Sequence, residues 1–345
     1  MTTVIDWEFA VAAGRRFAAD GPQVSEGSAR AIVAQIRRAS RRAVEPVAEV
    51  TGLMAPLDAH HAVVVGRPEW IRANIAQMQV AMSPLTELLQ RQEPTVLVRE
   101  AGAKATALQL GVVLGWLSSK VLGQYEAFAV PGQPSGRLLL VAPNIVSVER
   151  QLDVPAKDFR LWVCLHEETH RVQFTAVPWL SDHFTETVHE YLAETDTSGW
   201  QTLRRVIAAL AGALRQPDKP TLIDLVHTPR QREILSHLTA LMSLLEGHAD
   251  VVMDEVGPRV VPSVNVLRER FDKRRSNPSR REGALRKMLG VDAKLRQYTE
   301  GAAFVRAVVD QVGMSGFNAV WTGPETLPRP HEIADPARWV RRVQP

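Results

Sequence analysis

The 345-residue chain sets 41 Lys and Arg against 38 Asp and Glu, a net charge of +3 that is too even for a nucleic-acid coat or a membrane-surface protein. Its 45% hydrophobic and 23% charged residues exclude a disordered chain. One cysteine, Cys164, excludes an intrachain disulfide framework and suits a reducing compartment, so a cytoplasmic protein is expected.

The first residues, through Glu8, show no basic flank before an apolar core, so no secretory signal is read there. Ser25 to Val50 spaces Ile32, Ile36 and Val44 as one face of a helix, capped by Ser25 or Ser28. A second helix is expected from Pro68 to Leu89 and a third, more buried, from Gly111 to Leu122. The apolar run in that third segment is well short of the ~20 residues of a membrane span. Pro131 to Gly136 reads as a loop, and Leu138 to Val141, bounded by Gly136 and Pro143, as a strand. Helices follow from Asp158 to Phe174, Thr185 to Glu194, Trp200 to Leu214 and Pro229 to Val256, the last stopped by Gly257 and Pro258. Arg268 to Lys287 is basic but has only Phe271 interleaved, so it reads as a solvated helical face and no nucleic-acid partner is expected. Trp321 to Pro345 holds five prolines and is expected to form an extended strap. With no repeat or linker, the chain reads as one domain over 1–345, mainly α with a minor β part (α+β). It has an N-terminal helical portion (1–130) and a portion that carries the chemistry (131–345).

The chemistry centres on His166-Glu167-Glu168-Thr169-His170, inside the expected helix with the apolar lead-in Leu161 to Leu165. Helical positions four apart lie about 40° apart around the axis, so both imidazoles face one way and can reach one metal ion. Glu167 sits about 100° further round, placed to face a metal-bound water as a general base. A catalytic zinc takes a third protein ligand and leaves one position open. Two regions compete for that role: Glu186, Glu190 and Glu194, or Glu246 with Asp250 one turn later. In the second case Asp250 would accept the spare N–H of a ligand histidine and fix its tautomer. His248, about 200° from Glu246 on a helix, would then face away from the metal. Cys164 is about 200° from His166 and is read as buried, not a ligand. Tyr298 is the candidate donor to a developing oxyanion, a role that competes with plain packing.

Glu246-x-x-x-Asp250 resembles the third-ligand helix of gluzincin metallopeptidases such as the neprilysin-like group. Nearly the whole chain resembles the type-2 zincin-like metallopeptidases of actinobacteria and chloroflexi, a family also associated with deazaflavin-coenzyme biosynthesis. The likeness is carried by Leu117 to Tyr125, Leu165 to Leu180, Leu241 to Asp250, Phe317 to Trp321 and Pro324 to Pro328. It implies a zincin-like fold with a small β-sheet beside the active-site helix, and one Zn2+ per chain. It also implies His166, His170 and Glu246 as ligands, Glu167 as base and Asp250 as the outer partner. Seventy-five residues separate His170 from Glu246, more than in the shortest gluzincins, which keeps Glu190 open. In zincins a strand beside the active-site helix offers its edge to an extended peptide, and Leu138 to Val141 is the candidate. The expected function is a zinc hydrolase, most plausibly a peptidase acting on a peptide or protein. The alternative is a silent zinc-bearing scaffold, which an intact Glu167 argues against.

Overall fold

The computed structural model describes residues 4–56, 62–90, 96–133, 136–194, 228–276 and 291–344, with the side chains at 90, 96–99, 275, 276 and 291–299 left outside it. The expected helix Trp200 to Leu214 lies outside the described residues. Helices dominate. After α1 (Trp7–Phe17) comes α2 (Glu26–Thr51), started by Ser25, whose hydroxyl accepts from the Ser28 N–H, and stopped by Gly52 in the left-handed conformation at φ 66°. The expected helix Pro68 to Leu89 is two, α3 (Arg67–Ala81) and α4 (Ser83–Gln90), broken at Met82. α5 (Val96–Leu117) starts earlier than its apolar run suggests and ends before Ser118 to Lys120, which turn into strand β2.

Strand β3 (Leu138–Val141) is central in a three-stranded sheet of order β1-β3-β2, parallel to β1 (Val63–Val65) and antiparallel to β2 (Gly123–Tyr125). All four of its residues are buried. Leu140 packs into the cluster around Phe159 and Ile36, while Leu139 and Val141 pack into the one around Trp70 and Ile71. Burial on both faces explains why this strand is an unbroken apolar run rather than an alternating one. It also corrects the expectation that Leu138 to Val141 offers an edge: both of its edges are paired, and the strand lying beside the His166 helix is β2.

α6 (Ala142–Leu152) leads to α7 (Ala156–Ala176), which packs against α2 and against α9 (Pro229–Val260), with α8 (Leu180–Ala193) between them in sequence. α9 does not stop at Gly257-Pro258 but continues one turn. Val256 and Gly257 are buried there, and Gly257 leaves room for Val264, so tertiary packing outweighs the amide hydrogen lost at Pro258. α10 (Val264–Ser276) and α11 (Val291–Phe317, kinked at Gly313) follow. The proline-rich end is not an extended strap. Pro324, Pro330 and Pro336 each open a short helical turn, among them α12 (Pro330–Ile333) and α13 (Pro336–Val343), because proline's fixed φ suits a first helical position. Trp339 of α13 is fully buried, edge-on to Phe304 of α11. Among the described residues no helix is long and apolar enough to cross a membrane.

α9 and α11 cross at glycine: a Cβ on Gly247 would lie 2.5 Å from the Ala302 nitrogen, and one on Gly301 would lie 2.7 Å from the Ser243 carbonyl carbon. Backbone cannot yield to such an approach as a flexible side chain can. Gly301→Ala is therefore expected to cost about 3 kcal/mol or more, whereas Gly27→Ala, with nothing within 4 Å, should leave stability unchanged or raise it by up to about 1 kcal/mol. Urea unfolding of the two variants checks this; equal midpoints would contradict the packing.

Candidate metal centre

α7 is buried almost all round from Phe159 to Leu165, which fixes its next turn at the edge of the core. His166 and His170 leave that turn on one face, with rings edge-on at a centroid distance of 4.7 Å and Nε2 atoms 3.2 Å apart. α9 crosses the same face and brings Glu246, whose Oε2 lies 3.6 Å from His166 Nε2 and 3.7 Å from His170 Nε2. Among the described residues these form the one convergent group of three metal-ligating side chains. The centre of a triangle with those sides lies about 2.0 Å from each corner, the bond length of zinc to imidazole nitrogen or carboxylate oxygen. Two imidazoles and a carboxylate are also the donors zinc prefers at an open site, so the residues fit that ion. The three side chains keep 15–26% exposure, so the described residues do not seal the group off.

Electrostatics binds the group together. Burial opposes a charge on His170, but Glu246 and Glu167 beside it, with Gln173, raise its pKa to about 9. Burial likewise opposes the Glu246 charge, yet the two histidines hold that carboxyl well below the usual carboxylate range. Glu167 is different: burial pushes its carboxyl up, the two histidines pull it down in part, and Glu246 pushes it up again. Its carboxyl end rests against β2, where a Cβ on Gly123 would lie 2.7 Å from Glu167 Cγ and Oε1. Only glycine leaves that space open.

The remaining ring nitrogens have partners. His166 Nδ1 lies 3.2 Å from Met253 Sδ, and His170 Nδ1 lies 3.0 Å from Gln173 Oε1. Gln173 Nε2 in turn donates to the Leu245 carbonyl at 2.9 Å and faces His248 Nδ1 at 3.0 Å. Fully buried, His248 has its pKa pushed down to about 3 by burial and then by the charge of His170, so it is neutral. It stacks on Phe317 and lies 5.5 Å from the Trp321 ring.

Of the expected residues, His166, Glu167, His170 and Glu246 come together. Glu190 does not join them; it lies on α8, half-exposed and paired with Arg230. Asp250 is half-buried one turn beyond Glu246, and its backbone carbonyl accepts from Arg268. Tyr298 lies on α11, where its side chain falls outside the described residues. Cys164 is buried, its thiol pushed far up by burial. Sequence reasoning missed Gln173 and Gly123. Both lie in stretches that carry the family likeness; Gln173 had a further signal, its place one turn after His170 on the same helical face, while no spacing singled out Gly123.

Residues 5–340 match a family described as zincin-like metallopeptidase. A crystal structure from Chloroflexus aurantiacus, described as that of a presumed hydrolase with a novel fold, is similar over 98% of both chains, with 31% identity and a TM-score of 0.72. Among curated proteins none matches significantly.

The charge pattern fixes a pH dependence. In the metal-free protein His170 holds its proton up to about pH 9, above its ordinary value of 6.5. The pairing with Glu246 therefore stabilises the fold fully below pH 6.5, and that stabilisation is lost as pH rises through 9. Zinc must displace this proton, so its affinity is expected to rise about tenfold per pH unit between 7 and 9. Calorimetric zinc titration at pH 7.5 in two buffers of different ionisation heat should show close to one proton released per zinc; no release would contradict the assignment.

Proposed function

The chain belongs to the zincin-like metallopeptidase family, and on that premise we propose that it is a zinc-dependent hydrolase that cleaves peptide bonds. The observation that carries this reading is the convergence of His166, His170 and Glu246 at zinc spacing with a buried carboxyl, Glu167, one residue from the first histidine. His166, His170 and Glu246 would hold one zinc per chain. Bound there, zinc supplies a Lewis acid that acidifies a water and polarises the scissile carbonyl.

The chain's own residues supply the rest. Glu167 takes the proton from the attacking water and delivers it to the departing amine nitrogen. A carboxyl raised by burial suits both halves of that task, because a base that is too acidic returns its proton poorly near neutral pH. Gly123 leaves room for that carboxyl where a Cβ would meet it. The sheet supports a way to hold substrate. On either side of β2, Leu122 and Glu126 bond across to Val141 and Arg137, so the backbone groups of Gly123 and Tyr125 point to the other edge. Among the described residues no strand pairs with that edge, and an extended peptide added there would pass beside Glu167. Tyr125 stacks on Phe174 at 4.9 Å, which stiffens the end of this edge against α7.

Glu167→Gln is expected to keep one zinc per chain and lower peptide turnover by about 10²- to 10⁴-fold. Gly123→Ala should also retain zinc while losing turnover, since the added methyl displaces the same carboxyl. Metal content measured beside cleavage of a peptide library checks both; full turnover in Glu167→Gln would sink the mechanism.

A further inference from the structure

We infer that Gln173 is a positioning residue that fixes His170 in the tautomer with its proton on Nδ1, and that His248, seated on Phe317 and Trp321, holds Gln173 in the orientation this requires. The inference rests on the metal-site reading above and extends it to residues that touch no ligand atom of the site.

The argument is a count of donors and acceptors. A backbone carbonyl only accepts, so the end of the Gln173 side chain that lies 2.9 Å from the Leu245 oxygen must be its NH2 group. The other end is then the oxygen, and it lies 3.0 Å from His170 Nδ1. His170 must therefore donate from Nδ1, so when the ring gives up its second proton the lone pair is on Nε2, facing His166 and Glu246. The second amide hydrogen of Gln173 points to His248 Nδ1 at 3.0 Å, so that nitrogen must be the acceptor and the His248 proton sits on Nε2. His248 Nε2 is buried without a hydrogen-bond partner among the described residues. The other tautomer would set an Nδ1–H against the NH2 of Gln173. Rotating the Gln173 amide would set its oxygen against the Leu245 oxygen. Each alternative leaves a buried polar atom facing its like, which is costly away from water.

Packing makes the set rigid. Gln173 and His248 are both fully buried. The His248 ring stacks on Phe317 at 5.3 Å and 29°, with Trp321 edge-on to Phe317. Phe317 to Trp321, set apart by sequence but untouched by the catalytic reading, thereby acquires a role. A free imidazole divides itself between two tautomers, and the wrong one presents N–H to the metal; the Gln173 oxygen removes that choice. Among the described residues the corresponding atom on His166 faces the thioether of Met253, a weak acceptor, so His170 is the better fixed of the two rings.

The test compares zinc affinity, by competition with a chromophoric chelator, in wild type, Gln173→Leu, Gln173→Glu and His248→Phe, with His170→Ala as the reference for a lost ligand. Gln173→Leu should bind zinc about 10- to 100-fold more weakly. Gln173→Glu keeps an acceptor at Nδ1 and should stay close to wild type in zinc affinity, at a lower melting temperature because an oxygen replaces the NH2 that faces the Leu245 carbonyl. His248→Phe, which keeps the stacking but frees the amide, should fall between in affinity. A merely structural role for Gln173 would lower the melting temperature of all three variants and leave their zinc affinities alike. In the zinc-loaded wild type, proton NMR should show a slowly exchanging His170 Nδ1–H that Gln173→Leu lacks. Wild-type affinity and an unchanged Nδ1–H signal in Gln173→Leu would overturn the positioning role alone. Wild type that binds no more zinc than His170→Ala would overturn the metal-site reading and this inference with it. Should Gln173→Leu not fold, the other pair decides: His248→Phe weaker than Gln173→Glu supports the role, and equal affinities overturn it.

Discussion

Helix α7 is buried over most of its length, yet it carries His166, Glu167, Glu168, His170, Arg171 and Gln173 in two consecutive turns. Water cannot solvate such groups in the core, so each must find a partner from protein, at a cost of several kcal/mol if it fails. Much of the architecture is an answer to that demand. Glu168 pairs with Arg171 along the helix; Glu167 rests on the bare backbone of β2; the histidines face Glu246; Gln173 spans to α9. Neighbouring elements are therefore fixed in depth and rotation around α7, and the glycine crossing of α9 with α11 brings the C-terminal elements close enough to close the last contact.

This arrangement explains what could be read from residues alone. Local signals survived: the Ser25 cap, the apolar strand at Leu138 to Val141 and the four-residue spacing of His166 and His170 all depend on a single segment. Signals of termination did less well where burial opposed them. Gly257-Pro258 should end a helix in water, but Val256 and Gly257 gain more from the core than the helix loses at one missing amide hydrogen. The prolines of the C-terminal stretch start short turns instead of keeping the chain extended, because several shared a sequence pattern with first helical positions.

The site divides along the same line. Residue spacing narrowed the third acidic residue to two regions and the family resemblance favoured Glu246; in space, the crossing of α9 over α7 brings Glu246 to the histidines while Glu190 stays with Arg230. Gly123 carried no pattern, because what it provides is the absence of atoms where Glu167 lies. Gln173 shared a helical face with His170, but that face has meaning only once Leu245 and His248 lie opposite it.

The chain order of these partners bears on how the protein is made. His166 and His170 leave the ribosome well before Glu246, and Glu246 well before the aromatic seat at Phe317 to Trp321. A growing chain thus holds the two imidazoles before the acidic side chain that faces them and the aromatic pair on which His248 stacks. The group of three can therefore assemble only after Pro229 to Val260 has been made and has folded across α7, so its completion reports long-range folding rather than the local formation of one helix.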